Sequence, residues 1–323
     1  PSFTAFSITG ISVLFSRHCL AMKLKPGDEI ICSSHTMIAT ASSIKFAGGI
    51  PVPVDIGQDG LIDPESIVEH ITKNTVGIMP TQLNGRTCDM EKIVEIANKY
   101  NLYVIEDNAQ ALGSKYKYSN SKKQFAGTIG DISTTSFFPS KNLGCFGDGG
   151  CIVTNKKSLF LKAKKIANHG GLKKNNHLIV GRNSRLDNIQ AGILNIKLNY
   201  LDKWINLREK QAKFYRYNLN GVGDIRFVKQ IENSKSSNHL FVIKTSKRNE
   251  LKEYLLRNGI STAIHYPSPL PELPVFRKKH KSYGIKMNAT RWKNSIISLP
   301  IGEHMDTLKL KKVCLCIKSF FDA

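Results

Sequence analysis

Three side-chain types that can do chemistry together crowd into one stretch, residues 103–150. Glu106, Asp107 and Gln110 follow at once on Tyr103 to Ile105, a short apolar run that predicts the end of a buried strand. In open α/β sheets ligands sit beyond the carboxyl ends of strands, so an acid there is placed to meet one. Next come Ser136, Ser140 and Lys141, bracketing two aromatics and Pro139, with Gly144, Gly147, Gly149 and Gly150 behind. A lysine in an apolar setting loses its proton more readily and can form a Schiff base. A fixed carboxylate can keep a pyridine nitrogen protonated, and hydroxyls with backbone N–H groups suit a phosphate. Each residue alone also reads blandly, as a turn-capping acid, a surface lysine or a glycine loop. The ordered set points to pyridoxal phosphate chemistry.

The elements that must position this set alternate. The pattern predicts strands at 28–32, 50–54, 76–79, 102–106 and 151–154. Between them it predicts helices from Ile38 to Phe46, from Asp63-Pro64-Glu65 onward, from Asp89 onward and over 157–168. Asp63 and Asp89 are N-cap residues, and Pro64 suits a first helical position. An apolar helical segment over 10–25 precedes them, and a long helical region over 187–217 follows. Strict alternation predicts an α/β fold with a mostly parallel central sheet covered on both faces. The glycines do not spell G-x-G-x-x-G, which disfavours a dinucleotide-binding dehydrogenase. Gly, Asn and Ser accumulate over 215–237, so the chain divides into a large domain, 1–215, and a small C-terminal α+β domain, 216–323. In the second, strands are expected at 240–243 and 261–265 and helices at 249–257 and 306–320.

Composition narrows the class. With 41% hydrophobic and 22% charged residues the chain reads as a globular protein. No stretch approaches the ~20 apolar residues of a membrane-spanning helix, and no membrane partner is expected. Seven cysteines are odd in number and scattered, which fits a reduced, cytoplasmic protein. Cys314 and Cys316 lack partners at metal-site spacing, so they read as core residues and no metal is expected. The net charge of +22 raises nucleic-acid binding as a minor alternative, but the basic residues are dispersed and no nucleic-acid motif accompanies them. A positive field would also gather an anionic nucleotide sugar.

V-I-E-D-N-A-Q followed by G-D-I-S-T-T-S-F-F-P-S-K-N-L-G-C-F-G-D-G-G resembles the DegT/DnrJ/EryC1/StrS family of nucleotide-sugar aminotransferases, pyridoxal-phosphate enzymes of fold type I. G-R-N-S-R-L-D-N-I-Q-A, H-Y-P at 265–267 and S-L-P-I-G at 298–302 complete the pattern in family order. The resemblance implies that Lys141 holds the cofactor covalently and shuttles a proton, and that Asp107 faces the pyridine nitrogen. It places Gln110 near the ring hydroxyl, Ser136 on the phosphate, and Asn183 on the phosphate from the other subunit of a homodimer. Ser140, Arg185, His265 and Tyr266 match positions that contact the nucleotide sugar. Asn183 can equally cap a helix, Arg185 can pair with Asp187, and His265 can be a satisfied core histidine. The implied reaction moves nitrogen from L-glutamate to a keto-sugar on a nucleotide diphosphate, a step in surface-polysaccharide or amino-sugar biosynthesis. The lysine motif most resembles enzymes of UDP-linked 3-keto sugars, glucuronate derivatives included.

The sequence also departs from the pattern. The family's usual first fifty or so residues are missing before Pro1, as in an N-terminally truncated member. Its early Gly-Thr pair reads Gly10-Ile11-Ser12, with Gly10 and Ser12 left to receive the phosphate. Met37 takes the place of the aromatic that stacks on the cofactor ring, and Gln82-Leu83-Asn84-Gly85 replaces H-L-Y-G. These changes motivate an alternative, a catalytically impaired homologue with a binding or regulatory role.

Overall fold

The computed structural model describes residues 4–8, 24–232, 234–277 and 287–322. The expected helical segment at 10–25 and the cofactor residues Gly10 and Ser12 lie outside the described residues. Nine strands come first in the chain: β1 (Thr4–Ile8), β2 (Glu29–Ser33), β3 (Ile50–Val54), β4 (Thr75–Met79), β5 (Tyr103–Asp107), β6 (Lys115–Lys117), β7 (Lys123–Phe125), β8 (Ile132–Ser136) and β9 (Gly150–Thr154). Seven of them form one sheet in the order β1-β9-β8-β5-β4-β2-β3. The pairs from β3 through to β8 are parallel, while β9 runs antiparallel to both β8 and β1. The expected mostly parallel sheet is therefore present, with an antiparallel edge.

Helix Ile38–Phe46 connects β2 to β3. Helix Pro64–Glu69 connects β3 to β4, and Asp63 accepts a hydrogen bond from Glu65 N at 3.3 Å. Helix Met90–Tyr100 connects β4 to β5 and buries Met90, Ile93 and Ala97, with Asn101 closing it in the left-handed conformation. Ile30, Cys32, Met79, Ile105, Ile132 and Ile152 pack one core of the sheet, and Ile31, Val54, Ile78 and Val104 pack another. The parallel strands are thus buried on both sides, which is why they read as apolar runs.

The expected helical region at 187–217 is two helices, Asn188–Leu198 and Leu201–Leu219, separated at Asn199 and Tyr200. The second buries Ala212, Tyr215 and Leu219 in a further core. That core lies against β10 (Arg226–Phe227), β11 (Phe241–Lys244) and β12 (Ile296–Leu299), an antiparallel sheet in the order β10-β11-β12. Helices Arg248–Arg257 and Thr307–Asp322 cover it. Cys314 is buried in this core, as its apolar surroundings suggest. One expectation is corrected: residues 261–265 form no strand and touch the sheet through a single bridge, Ala263 to Ser298. Proline at 267, 269 and 271 lets no ladder continue there.

Candidate active site

β5 ends on two adjacent acids that strand geometry sends to opposite faces. Asp107 is 3% exposed. Its Oδ2 accepts from Thr40 Oγ1 at 2.8 Å and from Thr81 Oγ1 at 3.4 Å, and its Oδ1 accepts from Ala109 N at 3.1 Å. Thr40 comes from helix Ile38–Phe46 and Thr81 from the turn after β4, so three neighbouring elements meet on one carboxylate. Burial pushes the Asp107 carboxyl above the usual carboxylate range, while Thr40, Ala109 and the Lys141 charge pull it back.

Lys141 reaches the same place from the turn after β8. Its backbone N–H donates to Phe138 O at 2.9 Å. A Cβ on Gly144 would stand 2.3 Å from Pro139 O, so this turn can fold back on itself only over a glycine. Burial pushes the Lys141 amine down to about 8, against the opposing pull of Asp107. The amine makes no hydrogen bond with any described residue. A desolvated amine at that value is a nucleophile near neutral pH.

Lys141 opens onto a cavity of about 770 Å³, while Asp107 is buried and is not among the residues that line it. Met37, Gln110, Ser140, Lys141, His265 and Tyr266 of the sequence-derived set line it. Gln110 accepts from Asn84 N at 2.7 Å and donates to Tyr266 Oη at 2.9 Å, so its amide is held from both ends. Tyr266 N donates to His35 Nε2 at 3.1 Å. Burial pushes the Tyr266 hydroxyl up to about 12 and His35 down to about 4, so both are neutral at physiological pH. His265 Nδ1 lies 2.9 Å from Ser298 Oγ.

The other expected residues fall elsewhere. Ser136 is buried at the end of β8, outside the cavity lining, and its hydroxyl accepts from Phe138 N at 3.1 Å. Asn183 and Arg185 are exposed and do not line the cavity. Arg185 donates to Asn168 Oδ1 at 3.1 Å.

Several lining residues received no role in the sequence reading, among them Asn142, Lys197, Trp204, Arg208, His239, Glu303 and His304. Lys197, Trp204 and Arg208 are spaced seven and four apart, a helical period that would have placed them on one face. Arg208 forms a two-pronged pair with Glu303, at 3.1 and 3.2 Å, and also donates to Asn238 O and His239 O. His239 and Glu303 carry no comparable signal in the sequence.

The residues present fit pyridoxal phosphate. A buried carboxylate whose oxygens are oriented by hydroxyls suits a protonated ring nitrogen, and an unpartnered, desolvated amine suits a covalent attachment.

A parallel sheet of this order with an acid at the end of β5 and a lysine after β8 defines the class: a pyridoxal-phosphate-dependent transferase of fold type I. The comparisons agree and narrow it. The family model described as the DegT/DnrJ/EryC1/StrS aminotransferase family matches residues 16–318, so this chain belongs to that family. A Geobacillus stearothermophilus protein named "Pleiotropic regulatory protein" is 42% identical over 92% of this chain and 79% of its own length. A Pseudomonas aeruginosa protein named UDP-2-acetamido-2-deoxy-3-oxo-D-glucuronate aminotransferase is 36% identical over 92% of this chain and 81% of its own. Among solved structures, S. venezuelae DesV in complex with a ketimine intermediate superposes with a TM-score of 0.92. It shares 32% identity, over 99% of this chain and 85% of that one. The protein is an aminotransferase of the kind that acts on sugar substrates.

Proposed function

We propose that this chain uses pyridoxal phosphate to carry an amino group from L-glutamate to a keto group of a nucleotide-diphosphate-linked sugar. A UDP-linked 3-keto sugar, glucuronate derivatives included, is the substrate we favour, on its way into surface polysaccharide or another amino sugar. The observation that carries the reading is the Lys141 amine, unpartnered and desolvated, under the influence of the buried Asp107 carboxylate. The Pseudomonas relative's name supports the substrate class.

Pyridoxal phosphate, when bound, supplies an electron sink for electrons released at the substrate carbon. Asp107 keeps a positive ring nitrogen by presenting a carboxylate that Thr40 and Thr81 orient. Lys141 would hold the cofactor covalently, and its amine, when free, would carry a proton to and from the substrate. An amine near 8 is suited to both directions, because neither form is strongly favoured at neutral pH. Gln110 and Met37, which line the cavity, would flank the ring, Met37 through its polarizable sulfur. Ser136, with Gly10 and Ser12, would receive the phosphate. Ser140, Arg185, His265 and Tyr266 would meet the sugar nucleotide.

The working form is a homodimer with a shared site, in the cytoplasm. Val180 (96% exposed) and Ile189 (78%) flank Asn183 and Arg185 in the chain, and exposed Phe146 (75%) is bonded through its backbone to Gln190, next to Ile189. Exposed apolar surface of this kind marks a contact with another protein. A second copy there would bring Asn183 and Arg185 to the partner's cavity, which explains why they stand outside their own.

The test is a spectrum. Purified protein with pyridoxal phosphate should show an absorption band that borohydride bleaches and that Lys141→Ala lacks. L-glutamate should shift that band to the amine form. A protein that takes up no cofactor sinks the reading. The Geobacillus relative's name favours a second reading, a fold-preserving regulatory homologue. Uptake of cofactor without any response to glutamate would select it.

A further inference from the structure

His239 lines the cavity and is 7% exposed. Two hydrogen bonds fix which of its nitrogens carries hydrogen. Asn142 Nδ2 donates to Ser237 O at 3.0 Å. A backbone carbonyl can only accept, so the amide nitrogen must be the end that faces it. Asn142 Oδ1 is then the atom 3.1 Å from His239 Nδ1, and Nδ1 must donate. In a neutral imidazole that leaves Nε2 as a bare acceptor. Burial, with the Lys141, Arg208 and His265 charges, pushes the ring well below its ordinary value, so it stays neutral. Arg208 holds the His239 carbonyl at 3.2 Å while its own guanidinium is clamped by Glu303. The ring is therefore oriented through both its side chain and its backbone. Nε2 has no hydrogen-bond partner among the described residues.

We propose that His239 is a specificity-determining residue whose Nε2 accepts a hydrogen bond from a hydroxyl of the sugar. This rests on the reading of the cavity as a nucleotide-sugar site. An acceptor that cannot donate selects a hydroxyl and repels a carboxylate or phosphate oxygen, which brings lone pairs and no proton. The neutral, hydroxyl-bearing part of the ligand therefore lies on the His239 wall, and its anionic part lies away from it. A site built to bond a substrate hydroxyl discriminates strongly against a ligand that lacks it.

The first measurement uses the full-length wild-type chain. Imidazole ¹⁵N shifts at pH 7 should show His239 as the neutral form with hydrogen on Nδ1; an Nε2–H form or an imidazolium overturns the proposal. The second compares UDP with UDP-glucose, and dTDP with dTDP-glucose, by calorimetry. In whichever pair binds, the sugar-bearing ligand should bind more tightly than the bare nucleotide, and His239→Leu should reduce that advantage by about tenfold, the worth of one hydrogen bond. Affinity for the bare nucleotide should stay unchanged, and His239→Gln, which offers an acceptor, should recover part of the loss. If the advantage survives His239→Leu, or both ligands weaken equally, the inference falls and the function reading stands. If the wild-type chain binds none of the four, both fall.

Discussion

The two faces of the β5 terminus carry adjacent acids that meet opposite fates. Glu106 is fully buried and accepts from Gln82 Nε2 at 2.9 Å and from the backbone N–H groups of Gly127, Ile129 and Gly130 at 2.8, 2.6 and 2.7 Å. A carboxylate so surrounded has nothing left to offer a ligand. It ties the 127–130 turn to the sheet, and Gly127, with φ +82° and Asn108 close by, lets that turn approach. Asp107 is held by three donors, and the amine of its neighbour Lys141 makes no hydrogen bond among the described residues. Both acids are pushed upward by burial. Burial and an altered pKa therefore do not distinguish them. What distinguishes them is whether hydrogen-bonding capacity nearby is left open toward a cavity.

Substitutions should separate the two faces cleanly. Lys141→Ala removes the open amine and should abolish transamination by about 10³-fold or more, since proton transfer alone contributes 10²–10⁴. Unfolding midpoints in urea should hardly move. Asp107→Asn keeps the shape and removes the charge, and should lower turnover by about 10²- to 10³-fold, the usual loss when one preorganised electrostatic partner is removed. Glu106→Leu should do the reverse. It strands one side-chain and three backbone donors, so unfolding stability should drop by about 3 kcal/mol or more. Turnover per folded molecule should change little. If Glu106→Leu lowers turnover as much as Asp107→Asn at equal folded fraction, the comparison fails.

Smaller effects sharpen it. The Lys141 value of about 8 lies below that of an ordinary lysine, so the amine is neutral above pH 8 and protonated below it. The rate at which added pyridoxal phosphate becomes borohydride-trappable should rise with pH and level off above about 8, falling roughly tenfold per unit below. A plateau reached only near pH 10 would mean the amine is not desolvated. If the homodimer proposed above forms through this surface, Ile189→Asp should shift the protein toward monomers in size measurements and lower activity.

The fold was largely readable because parallel strands buried on both faces leave apolar runs, and caps such as Asp63 and Asp89 mark where helices begin. Type and order singled out Lys141, which lines the cavity, and Asp107, which is buried at the end of β5. Three limits show the physics that sequence hides. The helix break at Asn199 carries no glycine or proline, so 187–217 read as one element. Residues 261–265 are apolar enough for a strand, but the prolines that follow prevent a ladder. His239 and Glu303 enter the cavity only through tertiary contacts with Asn142 and Arg208. The replacement of the family's H-L-Y-G by Gln82-Leu83-Asn84-Gly85 is also clarified. Gln82 serves Glu106, and Asn84 N serves Gln110, so the change falls on residues behind the cavity wall.

Gln211 fastens the loop that carries Glu303 and His304: its Nε2 donates to Gly302 O and Met305 O at 2.8 and 2.7 Å, and its Oε1 accepts from Gly302 N at 3.0 Å. That side of the cavity is bolted to helix Leu201–Leu219 and cannot swing aside without breaking all three bonds. Phe138 and Ser140 line the same cavity and are exposed, as Glu303 and His304 are. A guest molecule therefore meets a wall anchored from behind, where Glu303 and His304 face solvent over backbone that Gln211 fixes.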